Sequence, residues 1–320
     1  MSDAPLVVIP EAPVPDKGAA EWFCGADGKR LRAASFFPDG EARGSVILSP
    51  GRTEPIEKYF EVIGELLERG FAVVAHDWRG QGLSHRPLSD PMKGHAAGFA
   101  QYLDDYHRLL DLFEDRLPKP WIAMGHSMGG GLTLLALAHG EAARFKAAIL
   151  SAPMLGLQTP GQPKRTTRAL TWLMARAGRA EDYVLGDPGK PFGEPFEANI
   201  LTHDAARYAR NNAQLDANGD LALGSPTWGW LDFAFSASSW LKRDPRVARL
   251  DIPVVALGAE QERLVDNADQ RQIIARIPQG RWQEVAGSYH EILQETDDIR
   301  AVFWREFDAL VAEVVINDYK

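Results

Sequence analysis

The sequence predicts an α/β fold: a mostly parallel central sheet with helices on both faces, interrupted once by a helical insertion. Three observations lead there. Short apolar runs alternate with helical ones along most of the 320 residues, residues 154–241 lack a buried strand pattern, and a glycine-flanked serine stands at one strand-to-helix junction.

The strand-like runs are 44–49, 71–75, 120–124, 147–150, 252–257 and 282–285. Each is short and almost wholly apolar, as a strand buried on both faces must be. Helical periodicity marks 56–69, 99–116, 128–139, 267–276 and 298–315. Gly70 and Gly140 stand directly after the first and third of these, where a helix ends in a left-handed residue. Residues 1–20 hold a Pro-rich stretch from Pro5 to Pro15 and read as a loose N-terminal arm. Residues 21–153 and 242–320 then form the α/β core, and 154–241 form a cap. An insertion between strands lies outside the sheet, above the carboxyl ends of the strands, where ligands bind in open α/β folds.

Bulk properties exclude several classes. Hydrophobic residues at 45% and charged residues at 25% are those of a soluble globular protein. The net charge of -9 argues against a generic nucleic-acid partner. Cys24 is the only cysteine, so neither an internal disulfide nor a cysteine-built metal site is available. The opening residues lack a basic segment followed by an apolar run, so the expected place is the cytoplasm. No motif calls for a metal, nucleotide or flavin, and no cofactor is expected.

Gly125-His126-Ser127-Met128-Gly129 fits the pattern G-x-S-x-G, with an apolar strand before it and a helix-forming run after it. The glycines have a steric reason. A serine pushed into a cleft by a sharp strand-to-helix turn leaves no room for Cβ atoms on either side. The helix end below it offers partial positive charge and a free N–H, from Met128, to a developing oxyanion. Ser127 is therefore the candidate nucleophile.

Preceded by His76-Asp77-Trp78-Arg79-Gly80-Gln81-Gly82-Leu83-Ser84, this elbow resembles the lysophospholipase and monoacylglycerol lipase group of α/β-hydrolases. The likeness runs from about residue 44 to residue 290. Bacterial lysophospholipases are resembled most in Pro50-Gly51-Arg52, in Glu57-Lys58-Tyr59, and in Leu201-Thr202-His203 through Arg207-Tyr208 to Asn211. The resemblance implies hydrolysis of a lipid ester, lysophospholipid or monoacylglycerol, through an acyl-serine intermediate. Two alternatives stay open. One is a peptidase or amidase, since serine aminopeptidases share the fold and the motif. The other is a non-catalytic binding protein on the same scaffold.

The resemblance places the base at His290, in Gly287-Ser288-Tyr289-His290-Glu291, after the last predicted strand. In this fold the acid lies between serine and histidine in the chain. The loop after 252–257 offers Glu260, Glu262, Asp266 and Asp269. Asp266 matches the family position and is preferred, with Glu260, nearer the strand end, as its rival. Asp266 could also merely cap the helix that follows.

The second oxyanion donor is expected from the turn after 44–49, and the resemblance implies that it is the backbone N–H of Arg52. Its guanidinium is free to meet a phosphate or glycerol oxygen, or to be solvated or paired with Glu54. Asp77 reads as a loop-shaping acceptor rather than a catalyst.

Within the cap, Arg165, Arg168, Arg176 and Arg179 fall in an arc of roughly 80° with Trp172 among them. Such a face suits a lipid headgroup layer, with peripheral contact at the inner face of the membrane. The default alternative is an ordinary cap helix packed through its leucines. Trp228, Trp230, Phe233, Phe235 and Trp240 cluster later; Trp228 and Phe233 are candidates to line an acyl-chain site, or the cluster simply fills the cap's core. Nothing in the sequence sets the oligomeric state.

Overall fold

In the computed structural model, which describes residues 2–189 and 194–314, one sheet runs through the molecule. Its strands are β1 (Ser2–Ala4), β2 (Ala19–Cys24), β3 (Arg30–Phe36), β4 (Ser45–Ser49), β5 (Ala72–His76), β6 (Trp121–His126), β7 (Phe145–Ser151), β8 (Val254–Ala259) and β9 (Gly280–Val285). Their order is β1-β2-β3-β5-β4-β6-β7-β8-β9. From β5 to β9 every pairing is parallel, whereas β1, β2 and β3 join antiparallel. The predicted fold class is the one observed.

Side-chain alternation explains why the central strands are apolar throughout. Ile47, Ala72, Val74 and Ala123 face one core, and Val46, Leu48, Val73, Ala75, Ile122 and Met124 face the other. On the first side lie α2 (Ala100–Phe113), α3 (Ser127–Ala138) and α7 (Asn267–Ile274); on the second lie α1 (Phe60–Glu68) and α8 (Asp297–Val314). Helix α1 stops at Gly70, whose φ of 81° few other residues adopt easily.

The expected loose arm is instead tied down. Ser2–Ala4 pairs with β2, Ile9 and Ala12 are buried, and the arm caps a buried charge. Arg32 Nη1 donates to the Pro5 carbonyl at 2.9 Å, and the Val7 N–H donates to Glu57 Oε1 at 3.0 Å. Arg32 itself pairs with Glu57 and Asp77, both at 2.7 Å. A buried guanidinium needs every donor met, and the arm supplies one of its acceptors.

Between β7 and β8 come α4 (Lys164–Met174), α5 (Ala205–Ala217) and α6 (Trp228–Arg243). The expected cap boundary at Leu241 falls inside α6. That helix buries Phe233, Ala234, Ala237 and Leu241 in the same core as α2 and α3. Helix α5 is clamped to the body of the molecule. Arg207 reaches Glu61 of α1 at 2.6 Å and Asp297 of α8 at 2.6 Å, and Arg210 also meets Glu61 at 2.6 Å.

Helix α4 does not pack through its leucines. Thr171 is its buried residue, while Leu170, Trp172 and Leu173 are 45%, 51% and 55% exposed.

Candidate active site

Ser127 opens α3 with φ at 50°, a left-handed value uncommon for a residue with a side chain. The flanking glycines make that turn feasible. A Cβ on Gly129 would stand 2.2 Å from the Ser49 carbonyl oxygen and 2.3 Å from that of Pro50. One on Gly125 would meet Gly130 backbone at 2.8 Å. Strand β4 and its following turn therefore press directly on the first turn of α3.

His290 arrives from the loop after β9. Its Nε2 lies 2.9 Å from Ser127 Oγ, and its Nδ1 lies 2.7 Å from Glu262 Oε2. The side chains of His290 and Glu262 are both buried.

Asp266, the acid preferred from sequence, stands elsewhere. Its Oδ1 accepts the N–H groups of Ala268 at 2.8 Å and Asp269 at 3.0 Å, capping α7, and its other oxygen takes the ammonium of Lys164. Glu260 is not beside the imidazole either, since its carboxylate accepts the Gly287 N–H at 2.7 Å. The path of the chain decides the outcome. Hydrogen bonds from Glu260 N to Val285 O and from Gln261 N to Ser288 O bind this loop to the one carrying His290. Residue 262 is thereby brought alongside the imidazole.

Glu262 Oε1 accepts three successive backbone N–H groups, of Arg263, Leu264 and Val265, at 2.9, 2.8 and 3.2 Å. Burial pushes its carboxyl upward, but His290 and these N–H groups hold it below the usual carboxylate range. Burial likewise pulls the His290 imidazole down, and Glu262 with the more distant Glu291 and Glu54 brings it above its ordinary value.

Arg52 follows Pro50-Gly51 in the turn pressed on α3. Its guanidinium is neither solvated nor paired with Glu54: it donates to the Gly224 carbonyl and lies 5.3 Å from the Trp230 ring centroid. Its Nε is buried without an acceptor among the described residues. Met128 sits in the first turn of α3, where a helix leaves its N–H groups unpaired.

The substrate-binding assignment of Trp228 and Phe233 is not supported by their positions. Phe233 packs against Tyr102 and Trp230, with centroids 5.2 and 5.9 Å away, and Trp228 is buried at the start of α6. They fill the interior, as clustered aromatics usually do.

A cleft of about 540 Å³, lined by both polar and apolar side chains, opens beside the candidate site. Arg52, Lys58, Tyr208, Asn211, Leu264 and Glu291 are among its lining residues. Behind it Lys58 bridges Glu54 at 2.9 Å and Glu291 at 2.5 Å. Glu54 also accepts from Tyr59 Oη at 2.6 Å and from the Gly51 N–H. Sequence reading singled out Lys58 and Tyr59 only through resemblance. Their partners Glu54 and Glu291 lie 237 positions apart in the chain and carry no joint pattern.

Asp77 accepts from Arg32 Nε, from the Ile56 N–H at 3.0 Å and from the Leu83 N–H at 2.8 Å, so it shapes the loops around the site.

Residues 40–297 match the family model described as serine aminopeptidase, S33. Lysophospholipase L2 of Escherichia coli K12 is 32% identical over 290 residues, covering 88% of this chain and 83% of that protein. The monoacylglycerol lipase of Mycolicibacterium smegmatis is 26% identical, covering 86% of this chain and 91% of that one. Among solved structures, a thermostable carboxyl esterase from Bacillus coagulans superposes with a TM-score of 0.72 at 17% identity, covering 93% of this chain and 99% of that one. With the elbow motif in place and the family model matching about four-fifths of its length, the chain belongs to the serine aminopeptidase S33 family of α/β-hydrolases.

Proposed function

We propose that this protein is a serine esterase that cleaves acyl esters of lipids, lysophospholipids or monoacylglycerols, through an acyl-Ser127 intermediate. The observation that carries the reading is the continuous hydrogen-bonded chain from Ser127 Oγ through His290 to Glu262. Ser127 attacks the ester carbonyl while its proton passes to His290 Nε2. Glu262 keeps the other ring proton on Nδ1 and stabilises the imidazolium. The backbone N–H groups of Arg52 and Met128 hold the oxyanion. His290 then protonates the departing alcohol, and water, activated by the same imidazole, releases the acid.

The names of the relatives support a lipid substrate, and the cleft, lined by Arg52, Tyr208 and Asn211 as well as Leu264, has room for a headgroup. Peripheral contact with the inner face of the membrane is supported by the apolar face of α4. No described helix is long and apolar enough to cross a membrane.

The test compares turnover of a lysophospholipid, a monoacylglycerol and an aminoacyl amide by the same preparation, with the mass of the adduct trapped on Ser127 from a lipid extract. A fatty-acyl adduct, with faster turnover of either lipid than of the amide, is expected. Preference for the amide would replace this reading with a peptidase. Absence of any adduct and of turnover would leave a binding protein.

A pH profile follows from the ring electrostatics. Only neutral His290 can take the serine proton, so kcat/KM should fall as pH drops through its ionisation. That acid limb is expected above the ordinary imidazole value near 6.5, because the carboxylates around it favour the charged form. A limb centred well below that value would show that His290 is not the group titrating.

A further inference from the structure

We propose that a basic cleft between α4 and α6 binds the phosphate of an anionic lipid in the membrane surface, at a site separate from the cleft beside Ser127. The cleft has a volume of about 180 Å³. Lys164, Arg165 and Arg168 enter it from α4, and Lys242 and Arg243 from α6.

The charges do not cancel. Lys242 lies 2.7 Å from Asp269, and Lys164 reaches both Asp269 at 3.1 Å and Asp266. Arg165, Arg168 and Arg243 have no carboxylate partner among the described residues. Five cations against two carboxylates leave a local excess of three positive charges on a chain whose net charge is -9. The guanidinium fork matches the oxygens of a phosphate, which makes that the fitting ligand chemistry.

The same helix indicates the source of the phosphate. Leu170, Trp172 and Leu173 stand out from α4. An apolar face bordered by unpaired arginines is complementary to a bilayer surface: the leucines enter among the acyl chains while the cleft receives a headgroup. A soluble phosphate would use the arginines but give no reason for the apolar face. None of these residues belongs to the Ser127 site, so the proposal stands apart from the esterase reading.

The experiment compares the whole protein with an Arg165→Gln/Arg168→Gln/Arg243→Gln variant by co-sedimentation with vesicles. One set is phosphatidylcholine alone; the other contains phosphatidylglycerol as well. A Lys29→Gln/Arg30→Gln/Arg108→Gln variant makes the same charge change at other exposed positions. The parent should prefer the phosphatidylglycerol vesicles, and the cleft variant should bind them on the order of 100-fold more weakly, since each basic residue near such a surface contributes about fivefold. The control variant should bind nearly as the parent does, and all three should hydrolyse a soluble nitrophenyl ester equally. Equal vesicle binding by parent and cleft variant would overturn the proposal. So would an equal loss in the control, which would make the effect one of overall charge. Calorimetry with inorganic phosphate checks the source: binding of phosphate by the parent without any vesicle preference would overturn the lipid assignment in favour of a soluble anion.

Discussion

Ser127→Ala should reduce kcat on a soluble nitrophenyl ester by on the order of 10⁴-fold or more, leaving only the background from the oxyanion donors and binding. The substitution removes one hydroxyl from a buried turn and keeps the backbone. Alanine also has to adopt the left-handed φ of 50° that serine already tolerates there, so the fold should be retained, with unchanged circular dichroism and thermal midpoint. Reaction with a fluorophosphonate should vanish in parallel. A folded variant that turns the ester over at the parental rate would move the nucleophile elsewhere.

Glu262→Gln should be nearly as damaging, at about 10⁴-fold in kcat, whereas Asp266→Asn should change it by less than about threefold. The reason lies in what surrounds each carboxyl. In the first variant the new amide oxygen would remain turned towards the three N–H groups of residues 263–265, leaving the NH₂ to face His290. A donor opposite Nδ1 forces the proton onto Nε2, and a protonated Nε2 cannot accept from Ser127. In the second variant α7 would still be capped, since asparagine caps as well as aspartate, and only a half-exposed ion pair with Lys164 would be lost. Steady-state kinetics of the two variants decide the matter. The opposite ranking would require the loop to rearrange before Asp266 could reach the imidazole.

The sequence and the structure agree most closely where burial is two-sided. The runs around Val46–Leu48, Val73–Ala75 and Ile122–Met124 are apolar at every position because helices cover both faces, so they could be read without a partner strand. The β2–β3 hairpin could not. Arg32 and Ser35 lie buried within β3, and their polarity makes sense only once Glu57, Asp77 and the N-terminal arm are in place.

The elbow around Ser127 was legible because its glycines answer a local steric demand. The acid was not, because the choice among four carboxylates in one loop depends on hydrogen bonds to Val285 and Ser288, far along the chain. Glutamate also reaches one methylene further than aspartate, so an earlier position in the loop can serve. The helical wheel grouped four arginines that one helix does not carry. Helix α4 ends at Met174 and the chain kinks at Ala177 and Gly178, so Arg165 and Arg168 share a helix while Arg176 and Arg179 lie beyond it. Nor could the wheel say which face meets α6. The buried residue is Thr171, and that leaves the leucines outside.

The two halves of the insertion differ in how they answer to ionic strength. Glu61 receives Arg207, Arg210 and Arg300 in a network whose arginines are mostly shielded from solvent. Ions in solution screen such sheltered pairs weakly, so α5 stays seated on α1 and α8 across a wide range of salt. The arginines beside α4 face water, and their attraction to an anionic surface decays within a Debye length, about 8 Å at physiological salt. On the proposed membrane contact, salt would act at one end only, lifting α4 from a charged surface without unseating α5 from the body of the protein. The membrane attachment proposed for α4 would then be reversible and tunable, while the clamped half of the insertion keeps its place on α1 and α8.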